Sequence, residues 1–258
     1  MSRPLVLQEV FSSIQGEGLL VGVRQLFVRL FGCHLDCVYC DTPETKSVLQ
    51  PKGFLPPRFR IEDPPGSQQF RSEANPVEPE AALEVIAELE RRYGPHHSVA
   101  ITGGEPLLQA EGLVELFPLL RERRLRVYLE TAGDLVRQLS RVVLWVDWIA
   151  ADIKLPSVSQ DTDLFDRHDA FLEVACASRA QVFAKCVVAA DTLEEELERA
   201  AELCMRHMVT LVLQPVTSVT PEQKPPSAGQ LLLWAAELSR RGADVRVIPQ
   251  LHKALGYL

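Results

Sequence analysis

Short runs of Val, Ile and Leu recur along this chain, each followed by a stretch with helical periodicity, and no other feature limits the fold so tightly. Residues 25–30, 98–102, 126–130, 148–152, 181–188, 211–214 and 245–248 read as strands. Residues 80–93, 113–122, 164–177, 192–207 and 229–240 read as helices between them. Strands that are apolar along their whole length suit a parallel sheet covered by helices. The expectation is therefore an α/β fold, a partial, open TIM-type barrel of about six βα units where a closed barrel has about eight. At 258 residues it forms one domain, spanning 1–258. Two boundaries carry a local signature. Asp191 and Glu194 can cap a helix that starts at Thr192, and Gly94 with Pro95 ends the helix at Tyr93, the glycine in a left-handed conformation.

Residues 43–79 break the alternation, with Pro43, Pro51, Pro56, Pro57, Pro64, Pro65, Pro76 and Pro79 beside Arg58, Arg60 and Arg71. A stretch like this is read as an insertion, either a surface loop or a lid over a site. The net charge of −8 argues against a nucleic-acid footprint, which normally leaves a basic stripe, and favours a small-molecule substrate. No apolar stretch approaches the length of a membrane helix, and the N-terminus lacks a secretory signal, so a cytoplasmic location is expected.

In a reducing compartment, clustered cysteines ligate metal more often than they form disulfides. Cys33, Cys37 and Cys40 are clustered, whereas Cys176, Cys186 and Cys204 fall inside apolar segments and read as core. Gly32-Cys33-His34-Leu35-Asp36-Cys37-Val38-Tyr39-Cys40-Asp41 directly follows the strand at 25–30, where barrel enzymes place their chemistry. A [4Fe-4S] cube ordinarily takes four thiolates, so three leave one iron open to bind and activate a ligand. A zinc site is the alternative, with His34 as a fourth ligand, but His34 adjoins Cys33 and no second cysteine hook follows. Thr102-Gly103-Gly104-Glu105-Pro106 ends the next strand. Its glycines let the backbone approach a ligand, and its carboxylate can pair with an ammonium.

The cysteine loop and Gly103-Gly104-Glu105 together resemble the radical S-adenosylmethionine superfamily. That resemblance implies a [4Fe-4S] cluster whose open iron is chelated by the methionine amino and carboxyl groups, and reductive cleavage to a 5′-deoxyadenosyl radical. Phe11-Ser12-Ser13-Ile14-Gln15-Gly16-Glu17-Gly18 and Phe27-Val28-Arg29-Leu30-Phe31-Gly32-Cys33 resemble the 7-carboxy-7-deazaguanine synthase family. Leu129-Glu130-Thr131-Ala132-Gly133, Asp152-Ile153-Lys154-Leu155-Pro156-Ser157 and Pro249-Gln250-Leu251-His252-Lys253 extend the likeness over nearly the whole chain.

This second resemblance implies ring contraction of 6-carboxy-5,6,7,8-tetrahydropterin to 7-carboxy-7-deazaguanine with loss of ammonia, a step toward queuosine. It places substrate at Ile14, Gln15, Gly16, Glu17, Arg29, Thr102, His252 and Leu258, with Arg29 toward the substrate carboxylate. It places S-adenosylmethionine at Tyr39, Cys40, Asp41, Gly104, Glu105, Asp152, Ile153 and Lys154, and Mg2+ at Thr42. An electron donor such as flavodoxin or ferredoxin and a homodimer are implied in the same way. Two other readings are a glycyl-radical-enzyme activase, which shares the cysteine spacing, and a non-catalytic zinc-binding interaction module.

Overall fold

The computed structural model describes residues 3–46, 51–218 and 223–256. Strands β1 (Leu7–Ile14) and β2 (Arg24–Leu30) are antiparallel neighbours, and β3 (Arg58–Glu62) and β4 (Phe70–Ala74) form a hairpin. Helix α1 (Pro79–Tyr93) leads to β5 (Val99–Gly103), α2 (Ala110–Glu122) to β6 (Val127–Thr131) and α3 (Val136–Val142) to β7 (Trp148–Asp152). The short α4 (Pro156–Ser159) and α5 (Phe165–Cys176) precede β8 (Gln181–Val188), and α6 (Glu194–His207) precedes β9 (Thr210–Pro215). Helix α7 (Ala228–Arg240), β10 (Val245–Val247) and a terminal α8 (Leu251–Leu255) follow.

One sheet holds all ten strands in the order β10-β9-β8-β7-β6-β5-β2-β1-β3-β4. From β2 to β10 every pairing is parallel, and the run does not close on itself, giving the open partial barrel expected from the alternation. Side chains alternate faces along a strand, so each strand feeds two layers. Val28, Ile101, Leu129, Ile149 and Leu211 face outward into the main core, against Leu116, Phe117, Phe171 and Leu197 of the helices. Phe27, Ala100, Tyr128, Ala150, Phe183 and Val212 face inward as a smaller core, closed by Phe11 of β1. Phe11 and Phe27 stack with centroids 4.9 Å apart, a geometry that adds about 1 kcal/mol to simple burial.

The 43–79 segment, expected as an insertion, carries regular structure of its own. Its hairpin extends the sheet, β3 pairing in parallel with β1, although residues 47–50 lie outside the described ones. Two boundaries also depart from sequence. Helix α6 begins at Glu194 and not at Thr192, which places Leu193 at its N-cap, so the expected Asp191 and Glu194 cap does not form, and the Thr192 hydroxyl accepts from the Ala189 N–H. Gly94 ends α1 with φ −67°, extended and not left-handed; what requires glycine is the Glu90 carbonyl oxygen, 2.4 Å from where a Cβ would stand. Among the described residues no helix is long and apolar enough to cross a membrane.

Candidate active site

Two residues beyond each inward apolar side chain, the same face reaches the C-terminal rim of the barrel. Arg29 follows Phe27, Thr102 follows Ala100, Glu130 follows Tyr128, Asp152 follows Ala150, Lys185 follows Phe183 and Gln214 follows Val212. Strand β1 runs the other way, so Glu9 takes the same layer beside Phe11. The apolar ring is the floor and the polar ring is the wall of a cavity of about 360 Å3, which the cysteine loop also lines.

That loop is held rigid from below. The Gly32 N–H donates to the Thr45 carbonyl, and the Lys46 ammonium reaches Asp36 Oδ1 at 2.6 Å and the Cys37 carbonyl at 2.9 Å. Leu35, Cys37, Ala132 and Leu164 form an apolar patch around it, with Cys33 and Tyr39 against its edge. Burial pushes the Cys33 thiol up to about 11 and raises Cys37, so a metal's charge is needed to hold either as thiolate. The three thiols line the cavity, and none of the six cysteines is in a disulfide. Cys186 and Cys204 are buried in the main core, Cys176 is packed against it.

The glycine-rich loop after β5 presses on the cysteine loop itself. A Cβ at Gly104 would stand 2.2 Å from the Gly32 carbonyl oxygen and 2.9 Å from Cys33 Cβ. The close approach that demands glycine is therefore to the cysteine loop's own backbone. Glu105 corrects a further expectation. It is fully buried, lies outside the cavity wall, and accepts from the Leu107 N–H, the Thr131 hydroxyl and the Ala132 N–H at 2.6–2.9 Å. Its carboxylate braces the β5 loop against the β6 loop and is not turned toward a ligand. Burial, working against those donors, pushes it up to about 7. Two histidines add to this bracing: His34, weighed from sequence as a zinc ligand, and His168, not singled out there. His34 meets Asp134 at 2.8 Å, while His168 accepts from the Lys154 N–H and donates through Nδ1 to the Gly133 carbonyl.

Across the cavity, Lys185 is the hub. Its ammonium contacts Glu17 closely, Glu130 at 2.8 Å and Asp152 at 3.2 Å. Burial alone would raise Glu17, but Lys185 with Gln250 outweighs it and holds Glu17 at about 2. Glu130 goes the other way, raised by burial and by its carboxylate neighbours against Lys185. Asp152 also pairs with Lys154 at 2.7 Å, whose ammonium lies 5.6 Å from the Tyr39 ring centroid. The C-terminal segment closes this side. Gln250 donates to Glu17 at 2.7 Å, Lys253 meets Asp41 at 3.0 Å, and His252 lies in the space left by Gly16.

Of the residues expected at the site, Cys33, Cys37, Cys40, Thr42, Tyr39, Asp41, Gly104, Asp152, Lys154, Ile14, Gln15, Gly16, Glu17, Arg29, Thr102 and His252 do line one cavity. Ile153 does not; its side chain is 1% exposed in the main core, since it points opposite to Asp152. The Gln15 amide lines the wall but is tied inward, donating to Gln25 Oε1 at 2.9 Å and accepting from the Glu17 N–H at 3.0 Å. Leu258 lies outside the described residues. Sequence reasoning does not single out Glu9, Arg60, Glu130, Lys185 or Gln214. For Lys185 the signal was a lone charge inside an apolar strand.

The residues fit the implied groups. Among the described residues no three His, Cys, Asp or Glu side chains converge as one mononuclear ion would need, whereas a cubane takes each thiolate on a separate iron. Gln214 Oε1 is buried in the wall without a hydrogen-bond partner, as an acceptor awaiting a donor-bearing ligand would be, and Asp152 Oδ1 has the Lys185 ammonium at 3.2 Å as its charged neighbour. Cys33, Cys37 and Cys40 would hold the cluster, with Gly104, Asp152 and Lys154 beside the cosubstrate.

Comparison with known proteins agrees with this geometry. A family model described as the radical SAM superfamily matches residues 28–168. A 7-carboxy-7-deazaguanine synthase of Geobacter sulfurreducens is 44% identical over 264 residues, covering 100% of both chains. The enzyme of that name from Methanopyrus kandleri is 36% identical and covers 98% of this chain and 94% of its own. The crystal structure of QueE from Escherichia coli shares the fold, with a TM-score of 0.56 at 21% identity over 95% of this chain and 93% of its own. The zinc-module and activase readings give way, and the chain belongs to the 7-carboxy-7-deazaguanine synthase family of the radical SAM superfamily.

Proposed function

We propose that this enzyme converts 6-carboxy-5,6,7,8-tetrahydropterin to 7-carboxy-7-deazaguanine, eliminating ammonia as the ring contracts. The observation that carries the reading is the meeting of three separate segments on one cavity: the cysteine loop, the Gln15-Gly16-Glu17 turn and the C-terminal strap. When bound, the cluster and S-adenosylmethionine supply the one-electron chemistry that removes hydrogen from C6 of the pterin.

The protein's own residues bind and orient. Glu17, kept ionised by Lys185, offers acceptors to the donor-rich edge of the pterin, with Ile14, Gln15 and Gly16 shaping the turn beside it. Arg29 presents a guanidinium to the substrate carboxylate, Thr102 a hydroxyl between substrate and cosubstrate, and His252 closes the site from the strap. Thr42, whose hydroxyl lies 3.8 Å from Cys40 Sγ, offers one oxygen to Mg2+, the remaining ligands coming from substrate and water. Tyr39 and Asp41 flank the cosubstrate. A flavodoxin or ferredoxin donor, a homodimeric assembly and the reducing cytoplasm complete the reading.

The test is anaerobic incubation of the iron-reconstituted protein with S-adenosylmethionine, reductant, Mg2+ and the carboxytetrahydropterin, followed by mass spectrometry. The expected product is lighter than the substrate by the mass of ammonia. Cleavage of S-adenosylmethionine with the pterin left intact would remove the substrate assignment.

A further inference from the structure

The Pro-rich segment contributes a side chain to the cavity that the proposed function does not use. Arg60 of β3 lines the wall, and its Nη2 meets Glu9 Oε2 at 2.7 Å. Arg29 of β2 meets the other oxygen of the same carboxylate through Nε at 2.8 Å. Glu9 is the register partner of both residues, so the three form one row across adjacent strands on the cavity face.

We propose that Arg60 is the second half of a two-guanidinium clamp that takes the carboxylate of the pterin substrate, with Glu9 as the positioning residue between the two arginines. The inference rests on the reading of Arg29 above. Charge favours it: two guanidiniums on one carboxylate leave a surplus of one positive charge facing the cavity, which a single carboxylate neutralises. Donor count favours it as well. Each guanidinium has five N–H donors, and the contacts with Glu9 engage one from each arginine, leaving donors for a forked contact with an anion. Both groups are also steadied over aromatic rings, Arg60 at 4.9 Å from Phe70 and Arg29 at 5.7 Å from Phe11.

The plain alternative is a cross-strand ion pair that only ties β3 to β1. Arg60 is 47% exposed, and an ion pair that open to water contributes on the order of 0–1 kcal/mol, so tying alone predicts almost no consequence of replacing it. A binding measurement therefore separates the two.

The experiment uses the iron-reconstituted full chain with S-adenosylmethionine under anaerobic conditions. Equilibrium dissociation constants are measured for two probes, 6-carboxytetrahydropterin and 6-methyltetrahydropterin, which lacks the carboxylate. Arg60→Gln should weaken the carboxylated probe about tenfold or more, leave the methyl probe within about twofold, and raise KM far more than it lowers kcat. Arg60→Lys, which keeps the charge without the fork, should lose several-fold on the carboxylated probe alone. It carries the same comparison should Arg60→Gln fold poorly, as judged by melting temperature and iron content.

Equal loss on both probes, or no loss on either, would overturn the clamp. So would a loss confined to Arg29→Gln. If the wild-type chain itself showed no preference for the carboxylated probe, the substrate reading would fail along with the clamp, so the two failures are distinguishable.

Discussion

The two walls of the cavity handle buried charge in opposite ways. On the side built by the loops after β5 and β6, Glu105 is fully buried and its carboxylate accepts from the Leu107 N–H, the Thr131 hydroxyl and the Ala132 N–H. On the side built by β1, β2 and β3, Glu9 is nearly as buried, yet its partners are two arginines that open into the cavity. The first carboxylate is a brace between loops. The second orients cations toward a volume that a ligand can enter. Burial alone does not separate these roles; what does is whether the partners of a carboxylate end in backbone or in charged groups with donors left over.

Replacing the thiols tests the braced side with the largest effect. Cys33→Ala, Cys37→Ala or Cys40→Ala should each abolish cluster binding and turnover, while Cys186→Ala and Cys204→Ala should keep their iron, as measured by iron and sulfide content after reconstitution. Equal iron loss in the second set would mean that the cysteine loop is not the sole cluster site. On the charged side, Lys185→Met leaves Glu17, Glu130 and Asp152 without their common counter-ion. Unpairing buried carboxylates in this way should cost about 4 kcal/mol in a denaturant titration. A loss below about 1 kcal/mol would show that water already screens the hub.

The brace also has a pH signature. Glu105 is raised from 4.5 to about 7 in the folded chain. Between those values the unfolded chain has released a proton that the folded chain still holds, so this group's contribution is complete below about pH 4.5 and is lost as pH rises through about 7. The metal-free protein should therefore lose up to about 3 kcal/mol over that window, and Glu105→Gln should flatten the slope relative to wild type. Parallel slopes for the two proteins would mean that Glu105 is ionised throughout.

The barrel strands were legible because their apolar runs are buried on both faces, and the polar ring was legible in part. Arg29, Thr102, Glu130 and Asp152 fall in motif segments, Glu130 with no role assigned there, whereas Lys185 and Gln214 belong to the same layer and emerge only when the inward face of every strand is counted two residues onward. A motif also does not say which way a side chain points. Ile153 and Glu105 sit beside ligand-facing positions and turn into the interior. Strands β3 and β4 escaped notice because each is only five residues long and prolines surround them, while Arg60 finds its partner 51 residues away. Local pattern carries none of that.

The smallest expected effect concerns the strap that joins the two walls. Gly16 has no side chain, and His252 occupies the space; a Cβ there would stand 2.0 Å from His252 Nδ1. The Gly16 carbonyl also accepts from the Leu251 N–H at 2.8 Å, so the turn and the first residue of α8 are docked as a unit. Gly16→Ala must push His252 aside, since Nδ1, Cβ and Cγ of that residue all stand within 2.7 Å of the added Cβ. Little of the main core is involved, as α8 has no buried residue, so global stability should change by about 1 kcal/mol or less. The consequence should instead be local. The Leu251 amide should exchange with solvent much faster than in wild type, because the opening free energy of a small, exposed element is set by its few docking contacts. The substrate KM should rise with it, since Gln250, His252 and Lys253 all reach the cavity from this segment. Iron content should stay at the wild-type level, because Lys46 and Thr45 hold the cysteine loop around its thiols while the strap meets it at Asp41, beyond the last cysteine. Unchanged exchange at Leu251 together with an unchanged KM would show that the strap is seated by Gln250 and Lys253 alone, and that the glycine merely permits the histidine without holding the segment in place.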